Sequence, residues 1–377
     1  MRVLILGAGF GGLELATTLV AEAGDSVEVT LVDRSEGFVF GFSKLDVMFG
    51  RTTRDQVVHR YADLAHPEVH FLPATVLSID PAARRVETDA GTLECDVLVV
   101  ALGADLDPAA TPGLVEHGHE FYTEESAFAL RDVLADFPGG DVVVAVTSTP
   151  FKCPPAPSET ALLVHDHLRE RGLLDRSSVA LAMPLPAPIP PAPDASRALL
   201  AEFERRGIAW HPGALVRSVE PGRAVLADGG ELPFDLLLAV PVHRAPRVVV
   251  ESGLAEDGWI PVDPLTLRTR FDDVYAVGDV TSVGTPKAGV FAEGQAAIVA
   301  AQLVARARGA SSGATYDGRG VCYLEFGEHR VAKVDVTFVS GRPPVGTLEG
   351  PSVDLVRDKA AFGADRARRW FGADWAP

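Results

Sequence analysis

The sequence predicts an α/β protein built from two Rossmann-like domains, the first of them discontinuous, followed by a small C-terminal module containing β-strands. Three observations predict it. A glycine-rich fingerprint stands between a buried strand and a helix at the N-terminus, strands and helices alternate through most of the chain, and short alternating strands take over from about Gly313. At about 150 residues per domain, 377 residues make two domains and a smaller piece. An apolar content of 47% with 23% charged residues excludes disordered and fibrous classes. The net charge of −18 repels phosphate backbones, so nucleic acid is not an expected partner. It says nothing against a small anionic substrate, because a local field can oppose the net charge.

The first element is the apolar run Val3–Leu6, a strand buried on both faces. Gly7, Gly9 and Gly12 follow as G-x-G-x-x-G, then an apolar helix runs to about Ala21 and a second strand, Val27–Val32, ends at Asp33, 21 residues after Gly12. That is a complete βαβ dinucleotide fingerprint. Its glycines permit a tight turn and close approach to a pyrophosphate on the helix N-terminus, and Asp33 accepts from a ribose. Further buried strands are expected at Val142–Val146 and Val179–Met183, and a cluster of six prolines in residues 184–193 predicts an extended connection. The run Cys95–Ala104 reads as a strand ending in a small-residue turn, and Asp273–Thr281 as another ending at Gly278-Asp279. The latter lies about 270 residues from the first strand, which implies an inserted domain. The expected boundaries are 1–110 with 241–312 for the first domain, 111–240 for the second and 313–377 for the C-terminal module. Pro286 and the apolar spacing up to Leu303 start a helix near Ala288.

The second domain lacks what the first has. Its strand Val142–Val146 leads into Thr147–Leu163, a loop without glycine, and its next strand ends at Met183-Pro184 without a ribose-binding acid. A second dinucleotide therefore has no cradle, and a pyridine nucleotide is not the expected electron donor. In place of the glycines stands Cys153, beside Lys152 and ahead of a helix from about Ser158 to Arg171, a setting expected to lower its pKa. The chain has three cysteines, Cys95, Cys153 and Cys322, and no C-x-x-C pair, so a zinc ribbon and a structural disulfide framework are both excluded. Cys95 reads as a buried strand residue. The H-x-H pairs His117/His119 and His165/His167 have no third ligand at suitable spacing, so no metal site is expected.

Together these turns resemble the two-dinucleotide-binding-domain flavoproteins. The segments Phe151–Glu159, Pro241–Pro246, Pro286–Gly294 and Val321–Glu325 are more narrowly similar to sulfide:quinone oxidoreductases and flavocytochrome c sulfide dehydrogenase flavoproteins. The resemblance covers nearly the whole chain and implies FAD. Its contacts are expected at Gly7, Gly9, Phe10, Gly11 and Gly12, at Asp33, Arg34, Lys44 and Val76, at Ala101, Leu102 and Gly103, and at Gly278, Asp279, Lys287 and Ala288. It also implies that Cys153 and Cys322 form a redox pair across the flavin, with Lys287 as a fixed positive charge near the ring. Glu159 is a candidate proton relay, although a solvated helix-start glutamate is the simpler reading. The implied reaction is FAD-dependent oxidation of sulfide or a related small sulfur species, with a quinone taking the electrons.

The chain departs from the family at Phe121–Phe128, where many quinone-linked members carry a third redox cysteine. The alternatives are a type II NADH:quinone-like oxidoreductase and a non-catalytic thiol/flavin redox sensor. The apolar run begins at Val3 and leads straight into the glycine loop, so no secretory leader is read, and no stretch approaches the length of a spanning helix. The expected compartment is the cytoplasm. Peripheral membrane contact through the basic, aromatic segment Arg366–Gly372, and a homodimer, are left open.

Overall fold

The computed structural model describes residues 1–339 and 341–375. Val3, Leu4, Ile5 and Leu6 are all buried because their strand, Arg2–Leu6, is the centre of a five-stranded parallel sheet. Its neighbours are Val97–Val100 and then Val274–Ala276 on one side, Glu28–Asp33 and then Val69–Pro73 on the other. Val3 and Ile5 pack on one face with Leu15 and Leu19 of the helix Phe10–Ala23 and Val299 and Leu303 of the helix Gly289–Ala307. Leu4 and Leu6 pack on the other with Ile79 and Val86 of a small antiparallel sheet. A strand covered on both faces must be apolar at every position, which is why the sequence shows runs rather than alternation here.

The chain leaves this sheet after Val100 and returns only at Val274. In between it builds a second parallel sheet in the order His119–Glu120, Leu236–Val240, Asp141–Val146, Ser178–Met183, Ala209–Pro212. The two crossings between the sheets, Asp105–Asp107 and Val242–Arg244, pair antiparallel with each other. The helix after Cys153 spans Ala156–Glu170, one half-turn earlier than expected, because Pro157 fits the first helical turn, where no N–H is needed. The proline-rich connection stays non-helical until Pro193 opens the helix Pro193–Arg206.

The C-terminal strands Arg319–Gly327, Arg330–Thr337 and Val345–Ser352 form an antiparallel sheet. Leu324 and Phe326 seat it on Leu162 and Leu163 of the Cys153 helix. The same join carries a buried ion cluster. Arg206, 1% exposed at its side chain, bonds Asp166 at 2.7 Å and Glu202 at 2.7 Å, and its other terminal nitrogen donates to the carbonyl of Phe326.

The expected short tail is instead an 18-residue helix, Asp354–Phe371. Arg366, Arg369 and Trp370 point into the protein, while Arg357 and Arg368 stay exposed. Arg369 holds both oxygens of Glu14, Arg366 holds Glu293, and the fully buried Trp370 donates from Nε1 to Glu14 at 2.9 Å. Trp370 also packs edge-on against Phe10 and Phe38. Arg366, Arg369 and Trp370 are thus engaged within the protein. No helix among the described residues is long and apolar enough to cross a membrane.

Removing the indole leaves a large cavity and strips Glu14 of a buried donor. Trp370→Ala should cost about 3–5 kcal/mol, read as a lower urea midpoint. Trp370→Phe, which keeps most of the volume but loses the N–H, should cost about 1–3 kcal/mol.

Candidate functional site

The N-terminal loop has the shape a dinucleotide needs. A Cβ on Gly12 would collide with the carbonyl of Gly7, and one on Gly7, at φ 101°, would collide with the carbonyl of Ala101. Those two glycines let the loop turn flat against the next strand end. A Cβ on Gly9 meets nothing within 4 Å, so the loop opens outward at that position, toward the start of the first helix. Asp33 closes the second strand and fixes the loop, its Oδ2 accepting from Ala8 N at 2.8 Å and its Oδ1 from Ser35 N at 2.8 Å. Each oxygen retains a lone pair for a ribose hydroxyl. At the far strand end Gly278 N donates to Gln295 Oε1 at 2.7 Å, and Asp279 lies inside, where burial raises its carboxyl pKa. Gly11 packs on Val277 and Ala292, which brings the starts of the two helices together.

The other expected cofactor residues are scattered in character. Ala288 is the N-cap of the helix Gly289–Ala307, in extended conformation. The Phe10 ring belongs to the aromatic cluster with Phe38, Phe40 and Trp370, so any cofactor contact there is through its backbone. Lys44, on the short helix Gly41–Met48, is half-buried and donates to the carbonyl of Tyr122, its pKa lowered to about 8 by desolvation and by Lys152. Leu102 and Gly103 follow the strand Val97–Val100 directly. Arg34 is exposed and 4.0 Å from Asp105, and Val76 opens an edge strand of the small antiparallel sheet.

The second half meets this cradle through its glycine-free loop. Phe151 is buried in the core of the second sheet, and Cys153 N donates to Lys287 O at 2.7 Å. Cys153 itself holds φ 53°, a conformation that costs a non-glycine residue energy and that persists only where the surroundings impose it. The Cys153 side chain is exposed to open space within a site walled by protein, and Cys322 is half-exposed. Both thiols feel the carboxyl of Glu159, and Cys153 also feels Cys322. The fold has brought together two cysteines and a glutamate from two distant segments.

The electrostatics overturn one expectation. Cys153 was expected to have a lowered pKa from the helix N-terminus and Lys152. Burial instead pushes it well above the ordinary thiol range, Glu159 and Cys322 add to the rise, and Lys44 offsets little of it. Cys322 is pushed up to about 12, by burial first and then by Glu159. Glu159 is also not a solvated helix-start residue. It is 5% exposed, its pKa is raised to about 7 by burial, and its Oε1 accepts from Glu325 N at 2.8 Å. Lys287 is buried rather than an exposed cap. Its ammonium donates to Asp279 O at 2.5 Å and Thr281 O at 3.1 Å and lies 3.3 Å over the Trp259 ring, with its pKa lowered to about 8 by burial. Cys95 is buried in the first domain, its thiol pushed up to about 11.

Two cavities lie in this region, one lined by the neighbours of Cys153 in the loop and the other by Glu325 of the strand that carries Cys322. One of about 410 Å³ is walled by Phe151, Pro154, Trp259, Lys287 and Phe338. The other, of about 440 Å³, is walled by Phe42, Ser43, Asp46, Glu325, Val356 and Lys359. Lys359 pairs with Glu325 on the strand that carries Cys322. Burial alone would lower the Lys359 pKa, but Glu325, Asp46 and Glu159 outweigh it and raise it. Sequence reasoning missed Tyr122, Glu325 and Lys359. Lys359 and Glu325 are 34 positions apart on different elements, and nothing local in the sequence marks them as partners.

Residues 1–302 match the family model described as pyridine nucleotide-disulphide oxidoreductase. The chain belongs to that family. This member of the pyridine nucleotide-disulphide oxidoreductases is an FAD-dependent oxidoreductase similar to sulfide:quinone oxidoreductases. It is 25% identical to the mitochondrial sulfide:quinone oxidoreductase of Mus musculus over 355 residues, covering 89% of this chain and 78% of that one. It is 27% identical to the sulfide-quinone reductase of Aquifex aeolicus over 359 residues, covering 87% and 81%. The solved sulfide:quinone oxidoreductase structure from that bacterium superposes with a TM-score of 0.85 at 22% identity, covering 98% of this chain and 91% of that one. A type II NADH:quinone oxidoreductase of Staphylococcus epidermidis is 35% identical over 128 residues, 32% of this chain and 30% of that protein. The glycine cradle, the open face at Gly9 and the half-buried Asp279 fit FAD, and Gly7–Gly12, Asp33, Gly278 and Asp279 are the residues that would hold it.

A bulky side chain at Gly12 has nowhere to go but the loop. Gly12→Val should be purified colourless, with FAD affinity weaker by at least about a hundredfold by fluorescence titration, while far-UV circular dichroism stays unchanged. Glu159 makes a pH-dependent contribution of defined sign. Its folded pKa of about 7 exceeds the ordinary 4.5, so stability is lost as pH rises from about 4.5 to 7 and is level above. Glu159→Gln keeps the acceptor for Glu325 N–H and should remove that loss, gaining about 3 kcal/mol over the parent above pH 7 and nothing below 4.5 in urea unfolding.

Proposed function

We propose that the protein oxidises sulfide, or a closely related small sulfur species, through Cys153 and Cys322 and passes the electrons to a quinone. The observation that carries this reading is the convergence of the two cysteines and buried Glu159 at the point where the glycine-free loop is tied to Lys287. FAD supplies a two-electron relay between the sulfur chemistry and the acceptor.

The residues supply the rest. Burial disfavours a thiolate on either cysteine, so the pair is most stable in uncharged forms, of which the bridged disulfide is the oxidised one. Hydrosulfide attacks one sulfur of that bridge, the Cys–Cys bond breaks, a persulfide forms on the attacked cysteine and the other leaves as thiolate. That thiolate is the high-energy species of the site, and joining it to the outer sulfur of the persulfide releases one proton and the two electrons that FAD would take. Lys287 keeps a positive charge in the loop next to Cys153, held by two carbonyls so that it does not swing away. Glu159, with Oε1 engaged by Glu325 N, carries its exchangeable proton on Oε2 and titrates near neutral pH, the range a proton donor to a reduced quinone needs.

The cavity beside Phe42, Val356 and Lys359 is assigned to the quinone. It is adjacent to Glu159 through Glu325, and its ammonium lies 5.1 Å from the Phe42 ring. Val353 and Val356, exposed beside it, give the protein an apolar edge for peripheral contact with a bilayer, where quinones dissolve.

The NADH reading is weaker for a structural reason. The loop after Asp141–Val146 has no glycine and is bonded to Lys287 instead of standing open for a pyrophosphate. The deciding experiment is anaerobic bleaching of the flavin absorbance. Sulfide at micromolar concentration should bleach it rapidly, while NADH and NADPH should not. Cys153→Ser and Cys322→Ser should each abolish bleaching by sulfide with FAD still bound. Full activity in both variants, or rapid bleaching by NADH, would overturn the proposal. Turnover-free conformational change on sulfide addition would assign the protein to redox sensing.

A further inference from the structure

The cavity assigned to the quinone holds one carboxyl group that no cation grips firmly. Asp46 lies on the helix Gly41–Met48 and lines that space of about 440 Å³ together with Arg51, Glu325 and Lys359. Its side chain is 21% exposed. The one cation within 4 Å of it among the described residues is Arg51, at 3.5 Å and itself 38% exposed. An ion pair so long and so open to water holds a carboxylate weakly. Ser43, one turn earlier on the same helix, is fully buried and lines the same cavity, and its hydroxyl has no partner.

The other charged groups on these walls have fixed states. Glu325 accepts from Lys359 and lies 3.6 Å from Arg51. Burial alone would raise the Glu325 pKa, but those two cations outweigh it and lower it. Lys359 is held as a cation, since Glu325 and Asp46 outweigh its burial. Asp166 is bound by Arg206 at 2.7 Å and by Arg169 at 3.2 Å, and Glu328 by Arg205 at 2.8 Å and Arg330 at 3.0 Å. Glu170 and His329 are exposed. Asp46 goes the other way from Glu325. Burial raises its pKa and Glu325 adds to the rise, while Lys359 from the helix Asp354–Phe371 and Arg51 from its own segment offset only part. Among the half-buried carboxyls of the cavity, Asp46 is the one that can take up and release a proton without breaking a close ion pair.

Reducing a quinone with the two electrons of sulfide oxidation also consumes two protons, one for each oxygen. Glu159 carries one of them. We propose that Asp46 donates the second proton to the quinone. This rests on the assignment of the cavity to the quinone. In the step, the O–H bond of Asp46 breaks as the second quinone oxygen gains negative charge, and a quinol O–H forms. Asp46 is left as a carboxylate facing Arg51 and Lys359, and water returns its proton through the open part of the side chain. The quinone is reduced, the sulfur donor is oxidised, and no further reactant is needed.

The test separates the two half-reactions of the FAD-loaded protein. The flavin is reduced anaerobically, in one arm by sodium sulfide and in the other by light with EDTA, and then mixed with decylubiquinone. The return of flavin absorbance is timed across the acid-to-neutral range. Asp46→Asn keeps the size of the side chain and an oxygen for Arg51 but has no proton to give. It should slow reoxidation at saturating quinone by at least about tenfold, with the half-saturating quinone concentration within about twofold of the parent. Bleaching by sulfide and FAD affinity should be unchanged. The parent rate should fall as pH rises through the titration of Asp46, above the ordinary aspartate range, and that fall should be missing from the Asn variant. Asp46→Glu should restore most of the rate and the pH dependence. An Asn variant that reoxidises at the parent rate at every pH overturns the assignment alone. So does one whose loss lies only in the half-saturating concentration, or leaves the pH profile unchanged, since the carboxyl then only shapes the cavity. Parent protein that light reduces but decylubiquinone does not reoxidise refutes the quinone reading and this assignment with it. Parent protein that light bleaches and sulfide does not refutes the sulfur reading, and the light arm still decides on Asp46.

Discussion

The hydrogen bond from Cys153 N to Lys287 O, 2.7 Å long, holds the two halves of the molecule to each other at the point where their chemistry meets. Lys287 precedes the helix Gly289–Ala307, whose first turn packs on the glycine loop through Gly11 and Phe10. Cys153 precedes the helix Ala156–Glu170, which carries Glu159. This backbone contact, with the bond from Lys44 to the Tyr122 carbonyl, joins the glycine cradle to the loop of Cys153. It also explains the strained φ of 53° at Cys153, since the residue must turn its N–H to one wall while its side chain faces the open space. A glycine would relieve the strain, but it could not carry a sulfur.

Burial sets the charge state of the site. It pushes Cys322 up to about 12 and Glu159 up to about 7, and it brings Lys44 and Lys287 down to about 8. Each shift favours the neutral form, so acids and bases alike approach neutrality inside a chain whose net charge is −18. A site of this kind moves electron pairs and protons with small changes of net charge. The expectation of a reactive thiolate at Cys153 failed on the same ground. A helix N-terminus contributes only a partial charge over one turn, and desolvation of a sulfur anion outweighs it.

Local patterns explain which parts were legible in the sequence. Continuous apolar runs such as Val3–Leu6 and Val97–Val100 are forced by coverage on both faces, and the Gly7–Gly12 spacing by backbone collision, so both show in a short window of residues. The change to alternating strands near Gly313 is likewise local. Illegible were the contacts between segments far apart in sequence. Nothing near Glu14 in the sequence marks its partners, Arg369 and Trp370, over 350 positions later. The segment Arg366–Gly372 has the composition of a membrane anchor, and only its three-dimensional partners, Glu14 and Glu293, show that the charges of Arg366 and Arg369 are already paired.

The C-terminal module carries Cys322 on its first strand, Arg319–Gly327. Cys322 lies on a strand whose Glu325 N–H is bonded to Glu159 Oε1, so the helix behind one cysteine and the strand bearing the other share a hydrogen bond at 2.8 Å. Farther along the same interface, Arg206 ties that helix to the module through Asp166 and the Phe326 carbonyl. Two strong points on one helix–strand join leave little freedom for the strand to slide or rotate. The proposed exchange between Cys153 and Cys322 would need that rigidity, since sulfur exchange depends on the line of attack along the bond that breaks. The buried charge of Arg206 does little for net stability once its desolvation is counted. Its effect is on geometry, holding the strand of Cys322 against the helix of Cys153.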